Sequence, residues 1–490
     1  LIMKIHLFGL LMLWCSIISS QEEVSSRETA FLSGDQLQRD LDSLSSWILR
    51  MHPAPFAHCS EQDWSKQLAK SKRMVLGGGN LYKAAKACSD LTGILKDSHT
   101  GISLQHFANS LANLNGQIPL EVATVENKTV VVKDWRQTVM PGSIVESIGG
   151  IDSRSILGMS MSLISQEGEA VLSRLRMADK LWNDLVPFAL GAAAGDRIPF
   201  VLNQPFQDET MLPVLTREEM VLLKGNGSEP EIAWHWLEDF SDVVHLRIRS
   251  FHPEQLRQFK HELKQCFTAI HSWEKQHGRP IAGLILDLRQ NSGGHIAVMA
   301  EVLRYLSSEP TRIPFGAQIK HSPEARAQLM QPTLDRSFIP LGYQRNFKHL
   351  NQTLRNRKAE SMTFVPFESA IAPRKRLNYD GPAIMLLDGL SASASVSLAA
   401  WFVRSGRGRT IGEPPMGSIS GTFGNPIRLT LPESGIQMNV ATARYYTEAP
   451  IRWETRPLLP DFPVTKTIED YVFDRDPFIE KAIEYLRDTP

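Results

Sequence analysis

Apolar residues recur at helical spacing near the start of the chain, then cluster into short unbroken runs farther on. Leu37, Leu41, Leu44 and Ile48 repeat with a helical period, and Ser33 and Gln36 are placed as a capping box. His52-Pro53 ends that helix. A second helix is predicted from about Ser60 to Leu76, broken by Gly77-Gly78-Gly79. A third starts at Asn80, carries Leu81, Ala84, Cys88, Leu91 and Leu95 on one face, and delivers His99 just past its end. Residues 104–230 read mostly as β, with a strand at Thr129–Val132 and a strand, Gly-Gly turn and helix across Pro141–Leu157. A strand at Val243–Ile248 is followed by a long helix over about Glu254–Gln276, closed by Gly278.

Two later units share one pattern. Gly283–Gly294, GLILDLRQNSGG, reads as a buried strand, a turn with two glycines, and a helix from about Ile296 to Leu306. Ala383–Leu387 reads as a second buried strand, followed by a helix from Ala394 to Arg404 that Gly406 stops. Between them, residues 308–380 lack periodicity and read as a surface insertion, with a lid or channel wall as the other option. A hairpin (Ile427–Leu431, then Ile436–Tyr446) and a closing helix from Asp476-Pro477 complete the chain. Repeated strand–turn–helix units imply a parallel sheet with its functional site at the carboxyl ends of the strands.

Ser393 falls where the second strand turns into its helix. Serines at helix starts are ordinarily caps. The same position also suits a nucleophile, because the free N-terminal amides favour negative charge. The amide of Ala394 would be one oxyanion donor, and Gly293 or Gly294 a second.

Several ordered pieces resemble the C-terminal processing (tail-specific) serine peptidase family, in its tricorn-core-type branch. They are KDSHTGI (96–102), DLRQNSGG (287–294), SASAS (391–395), Ile411-Gly412-Glu413-Pro414, LPESGI (431–436) and LLPDFPV (458–464). The resemblance implies an α/β fold: a crotonase/ClpP-like catalytic core with an N-terminal helical subdomain and a PDZ-like β-rich domain. The implied division is a signal peptide at 1–20, a helical subdomain at 21–103, the PDZ-like domain at 104–230, the core at 231–470 and a final helix at 471–490. No GLGF-type carboxylate-binding loop is found between Ser103 and Leu120.

Ser393 matches the family nucleophile. One branch uses a lysine base, but its position here is Ser418, and no lysine lies between Ala383 and Glu454. The other branch uses histidine, and Ser98-His99-Thr100 matches its motif. The resemblance makes His99 the base, with Ser98 and Glu454 orienting it and Glu413 a rival for the acid role. Val396 departs from the glutamate that many relatives carry.

Composition narrows the alternatives. Hydrophobic content of 42% and charged content of 22% fit a globular chain with a sizeable core. Lys+Arg 53 balances Asp+Glu 53, and no basic-aromatic cluster suggests nucleic acid. No CxxC, HExxH or phosphate loop is present, so no metal and no cofactor is expected. Lys4, the apolar run Ile5–Ile18 and the small Ser19-Ser20 read as a secretory signal, with secretion or a periplasmic location expected. Of the remaining cysteines, Cys59 and Cys88 could pair, and Cys266 sits on an apolar helix face as core. The expected activity is hydrolysis of peptide bonds in a protein or peptide substrate. A non-catalytic ligand- or peptide-binding protein on the same fold is the alternative, and an esterase a third.

Overall fold

Five successive apolar residues, Ala383–Leu387, lie in the middle of the central sheet and are buried throughout. The computed structural model describes residues 31–203, 209–225, 229–330, 339–355, 361–448 and 456–488. The central sheet runs in the order Phe462–Pro463, Arg409–Gly412, Ala383–Leu387, Gly283–Asp287, Phe240–Ile248, Ile232–Leu237. All neighbours are parallel except the last pair. Such a sheet must be covered on both faces. Leu284, Leu286, Met385 and Leu387 face a core built with helices Leu256–His277, Ile296–Leu306 and Ala394–Arg404. Ile285, Ile384 and Leu386, one residue out of step, face the closing helix Pro477–Asp488 through Phe478, Ala482 and Leu486. Each fully buried aliphatic side chain contributes about 1.5–3 kcal/mol. Cys266 is fully buried in the first of these cores, as its helix face predicts.

The three N-terminal helices form at Gly34–Met51, Glu61–Met74 and Leu81–Gly93. Ser33 and Gln36 do form the capping box, with Ser33 N donating to Gln36 Oε1 at 2.9 Å. This helical core is not closed by its own segment. Leu431, Ile436, Met438 and Val440 of the late hairpin pack into it. The short strand Gly101–Ile102 pairs antiparallel with Gln437–Val440 of that hairpin. The thiols of Cys59 and Cys88 are both free.

Residues 104–230 hold more helix than their pattern predicts. Four helices, Leu104–Asn115, Ser153–Ser162, Val171–Leu190 and Arg217–Lys224, accompany a sheet of order Leu120–Val125, Lys128–Asp134, Ile144–Ile148, Arg197–Asn203, Glu209–Pro213. The longest of these helices has no single apolar stripe because it serves two cores. Leu181 and Leu185 enter the N-terminal core, while Trp182 and Val186 enter the core of this sheet.

The stretch read as a surface insertion is built into a sheet. Gly316–Lys320 and Met362–Pro366 pair with each other, and the former pairs with Ala443–Tyr446, which pairs with Gly421–Gly424. Among the described residues, no helix is long and apolar enough to cross a membrane.

Candidate active site

Ser393 sits in a turn whose strain matches its position between strand and helix. Its φ is +55° and ψ −114°, and its side chain caps nothing. A non-glycine residue in this region costs about 1–3 kcal/mol and persists only when its surroundings impose it. The surroundings are the two loops that follow the strands Gly283–Asp287 and Ala383–Leu387. Ser391 Oγ donates to the Leu288 carbonyl at 2.9 Å. Ser395 Oγ donates to the Asn291 carbonyl at 2.9 Å, and the Ala392 amide donates to the same oxygen at 2.9 Å. The Gln290 amide donates to Asp388 Oδ1 at 2.9 Å. Of the three serines in SASAS, the outer two are fully buried and spent on structure. The hydroxyl of Ser393 makes no hydrogen bond among the described residues, and the residue is partly exposed.

Gly293 and Gly294 are required here, for different reasons. A Cβ on Gly293, whose φ is +97°, would stand 2.6 Å from Ser393 Cβ and 3.0 Å from the Ala394 nitrogen. A Cβ on Gly294, whose φ is +132°, would stand 2.3 Å from the carbonyl carbon of Phe251. The two amides also differ. The Gly293 amide donates to Asn291 Oδ1 at 2.9 Å, so it is already spent. The amides of Gly294 and Ala394 have no acceptor among the described residues. Gly293→Ala should leave the chain folded but displace Ser393. Its rate of labelling by a fluorophosphonate is expected to fall about 100-fold, as ångström-scale misplacement of a reacting group does.

His99 lies in a pocket of acids. Asp97 is fully buried and takes three hydrogen bonds among the described residues. The His99 amide donates to Oδ1 at 2.8 Å, Thr100 Oγ1 donates to Oδ2 at 2.6 Å, and His52 Nε2 lies 3.0 Å from the same oxygen. The His99 ring stands farther off, with Nδ1 3.7 Å from Oδ1. Burial alone would raise the Asp97 carboxyl, but the hydrogen bonds from His52 and His99 outweigh it and hold the group well below the usual carboxylate range. Glu167, also buried, accepts from the Ser98 amide at 2.8 Å and from Ser98 Oγ at 2.7 Å. Ser98 Oγ lies 3.5 Å from His99 Nδ1. Burial, then the neighbouring Asp97 charge, pushes the Glu167 carboxyl up to about 7. For His99, burial favours the neutral ring, but Asp97 and then Glu167 prevail and raise its pKa.

The residues singled out in the sequence therefore fall into two groups. Ser393, Ala394, Gly293 and Gly294 meet in one pair of loops. Ser98 and His99 meet with Asp97 and Glu167. No hydrogen bond joins Ser393 to His99. Glu454 lies outside the described residues. Glu413 makes no described contact with His99. Its carboxylate grips Arg176 at both Nε and Nη2 and accepts from the Gly389 amide at 3.1 Å. Asp97, Glu167 and His52 were not picked out as site residues. Asp97 stands inside the KDSHTGI piece, but Glu167 has no sequence signal of its own. Oxygen and nitrogen atoms of Asp97, His99 and Glu167 lie within 4.8 Å of one another, a donor set that could hold a cation.

The fold is similar to that of solved structures over nearly the whole chain. Mature CPAF complexed with lactacystin matches with a TM-score of 0.63 at 12% identity, over 92% of this chain and 98% of that one. A Ser-to-Ala mutant of CPAF matches with a TM-score of 0.65 at 13% identity, over 93% and 96%. Mature CPAF alone gives 0.59 at 14%, over 93% and 96%. No curated protein sequence matches. The family model described as peptidase family S41 matches residues 242–464, the stretch that holds the central parallel sheet and Ser393. Residues 242–464 are thus similar to the peptidase domain of family S41, and the chain as a whole shares the fold of the CPAF structures.

Proposed function

We propose that this chain is a secreted or periplasmic serine endopeptidase of the tricorn-core-type branch, with Ser393 as nucleophile and His99 as general base. One observation carries the reading. Among three serines in five residues, only Ser393 has a free hydroxyl, and it is held at a strained φ of +55° beside the unspent Ala394 amide. His99 Nδ1 faces Ser98 and Asp97, which leaves Nε2 for the Ser393 proton. Ser393 Oγ attacks the substrate carbonyl carbon as its proton passes to Nε2. The amides of Ala394 and Gly294 receive the oxyanion, each such donor being worth about 3–4 kcal/mol. The imidazolium then protonates the departing amine, and water releases the acyl group. Glu454 would complete the acid set that the resemblance implies.

The region 104–230 is proposed as the PDZ-like module, with its peptide groove closed. Leu120–Val125 is its edge strand, and helix Val171–Leu190 packs beside it. Asp179 on that helix takes the Thr124 amide at 3.0 Å, and Arg176 gives a hydrogen bond to the Thr124 carbonyl at 2.8 Å. A peptide added to this edge would have to displace both.

The test is covalent labelling by a fluorophosphonate, read as intact mass, on the parent, Ser393→Ala and His99→Ala proteins. Labelling of the parent that is lost in both variants supports the reading. A folded parent that takes no label points to the binding-protein alternative. The labelling rate should also rise with pH through a midpoint above the ordinary histidine value near 6.5. The sign follows from the raised His99 pKa, because the ring acts as a base only when neutral.

A further inference from the structure

Sequence resemblance looks for the support of the histidine near Glu454, but the structure puts another glutamate against the motif. Glu167 reaches it from the loop before helix Val171–Leu190. That loop is pinned beside the motif by the Gly168 amide, which donates to the Lys96 carbonyl at 2.9 Å. It is further held by Ser165 Oγ, which donates to the Thr100 carbonyl at 3.0 Å. Two anchors on opposite sides of Ser98-His99 thus fix Glu167 between them. One carboxylate oxygen takes both polar hydrogens of Ser98, from the amide and the hydroxyl.

We infer that Glu167 is a positioning residue for His99, acting through Ser98 Oγ. This rests on the reading of His99 as base. The hydroxyl of Ser98 has one proton, and at 2.7 Å it goes to Glu167. The lone pairs of Ser98 Oγ are left to face His99 Nδ1, 3.5 Å away. That arrangement accepts a hydrogen from Nδ1 and fixes the tautomer that bares Nε2. If Glu167 is removed, the Ser98 hydroxyl can turn and donate to Nδ1 instead, which selects the wrong tautomer. Asp97 cannot take over this task with the same geometry. Its oxygens already accept from the His99 amide, Thr100 and His52, and its nearer oxygen is 3.7 Å from Nδ1. When ionised, Glu167 also adds a second negative charge near the ring. The charged and titratable groups that bear on this cluster include Asp97, His52, His58, Lys96, His99, Glu167 and Arg444.

The experiment measures fluorophosphonate labelling rate against pH for the parent, Glu167→Gln and Ser98→Ala, with thermal midpoints recorded alongside. Glu167→Gln should lower the plateau rate about tenfold or more, the lower end of what a positioned base contributes. It should also move the acid limb to lower pH, because a negative neighbour that raises the His99 pKa has gone. A merely structural loss would lower the plateau and leave the limb in place. Ser98→Ala should reproduce the plateau loss, and the double variant should be no slower than the worse single one. Ser98→Ala also covers the case in which Glu167→Gln fails to fold. A folded Glu167→Gln protein with the parent's plateau and limb overturns the inference, as do strictly additive losses in the double variant. If Glu167→Gln is neutral while His99→Ala abolishes labelling, the inference fails and the base assignment stands. If His99→Ala labels like the parent, the base assignment itself fails.

Discussion

Ser393→Ala and His99→Ala should each lower peptide hydrolysis by a factor on the order of 10⁶, and the double variant should be no slower than either. The non-additivity is the informative part. A nucleophile and its base act as one unit, so removing the second member of a broken pair costs nothing more. The structure sharpens this expectation for Ser393. Ser391 and Ser395 are fully buried and donate to the Leu288 and Asn291 carbonyls. Neither can rotate to replace Ser393 without abandoning the contact that holds the turn. Alanine at 391 or 395 should therefore impair labelling only by loosening the turn, with some activity left. If the double variant is slower than Ser393→Ala by a further large factor, His99 works through something other than Ser393. Rates on a fluorogenic peptide, with saturation kinetics, decide between these outcomes.

The second large effect concerns stability. Asp97→Ala should destabilise the protein by about 3–5 kcal/mol, as removal of one member of a buried, hydrogen-bonded charge cluster does. Its carboxylate is fully buried and gathers His52, Thr100 and the His99 amide. Thr100 in turn accepts from the Ala441 amide at 3.0 Å, so the loss spreads into the late hairpin. The pH dependence has a definite sign. The folded-state pKa of Asp97 is depressed, so its contribution is complete above the unfolded value near 3.9 and is lost as pH falls through the lower folded value. The gap between parent and variant should therefore be full at pH 7 and shrink below about pH 4. Denaturant midpoints at both pH values test this. An equal gap at pH 7 and at pH 3 would mean that lost packing, not charge, explains the effect.

Much of the catalytic core was legible in the sequence because local pattern and tertiary role agree there. GLILD and AIMLL are buried on both faces, so each is an unbroken apolar run, and each ends in a turn whose residues serve a site. The three N-terminal helices were legible for a similar reason, each having one apolar face and a polar cap. Helix Val171–Leu190 escaped notice because it is buried between two cores, which erases the stripe. Glu167 escaped because nothing local marks it. It becomes significant only when the loop carrying it is pinned to Lys96 and Thr100, residues far away in the chain. His52 was read only as a helix end, and its ring proves to be fully buried against Asp97. The amide of Gly293 shows a finer limit. Sequence could name two glycines as oxyanion donors, but only the side chain of Asn291 decides which amide remains free.

The shared core of the N-terminal helices and the late hairpin sets an order of events during biosynthesis. Leu431, Ile436, Met438 and Val440 fill the apolar face left by the first helices, and they leave the ribosome after Ser393 does. Until then the segment bearing His99 lacks part of its interior, and strand Gly101–Ile102 lacks its partner. A nascent or prematurely terminated chain thus carries the Ser393 turn before the segment around His99 has a finished core. The same interlock means that a single nick between the two segments should leave the halves associated, held by that common interior rather than by the peptide chain.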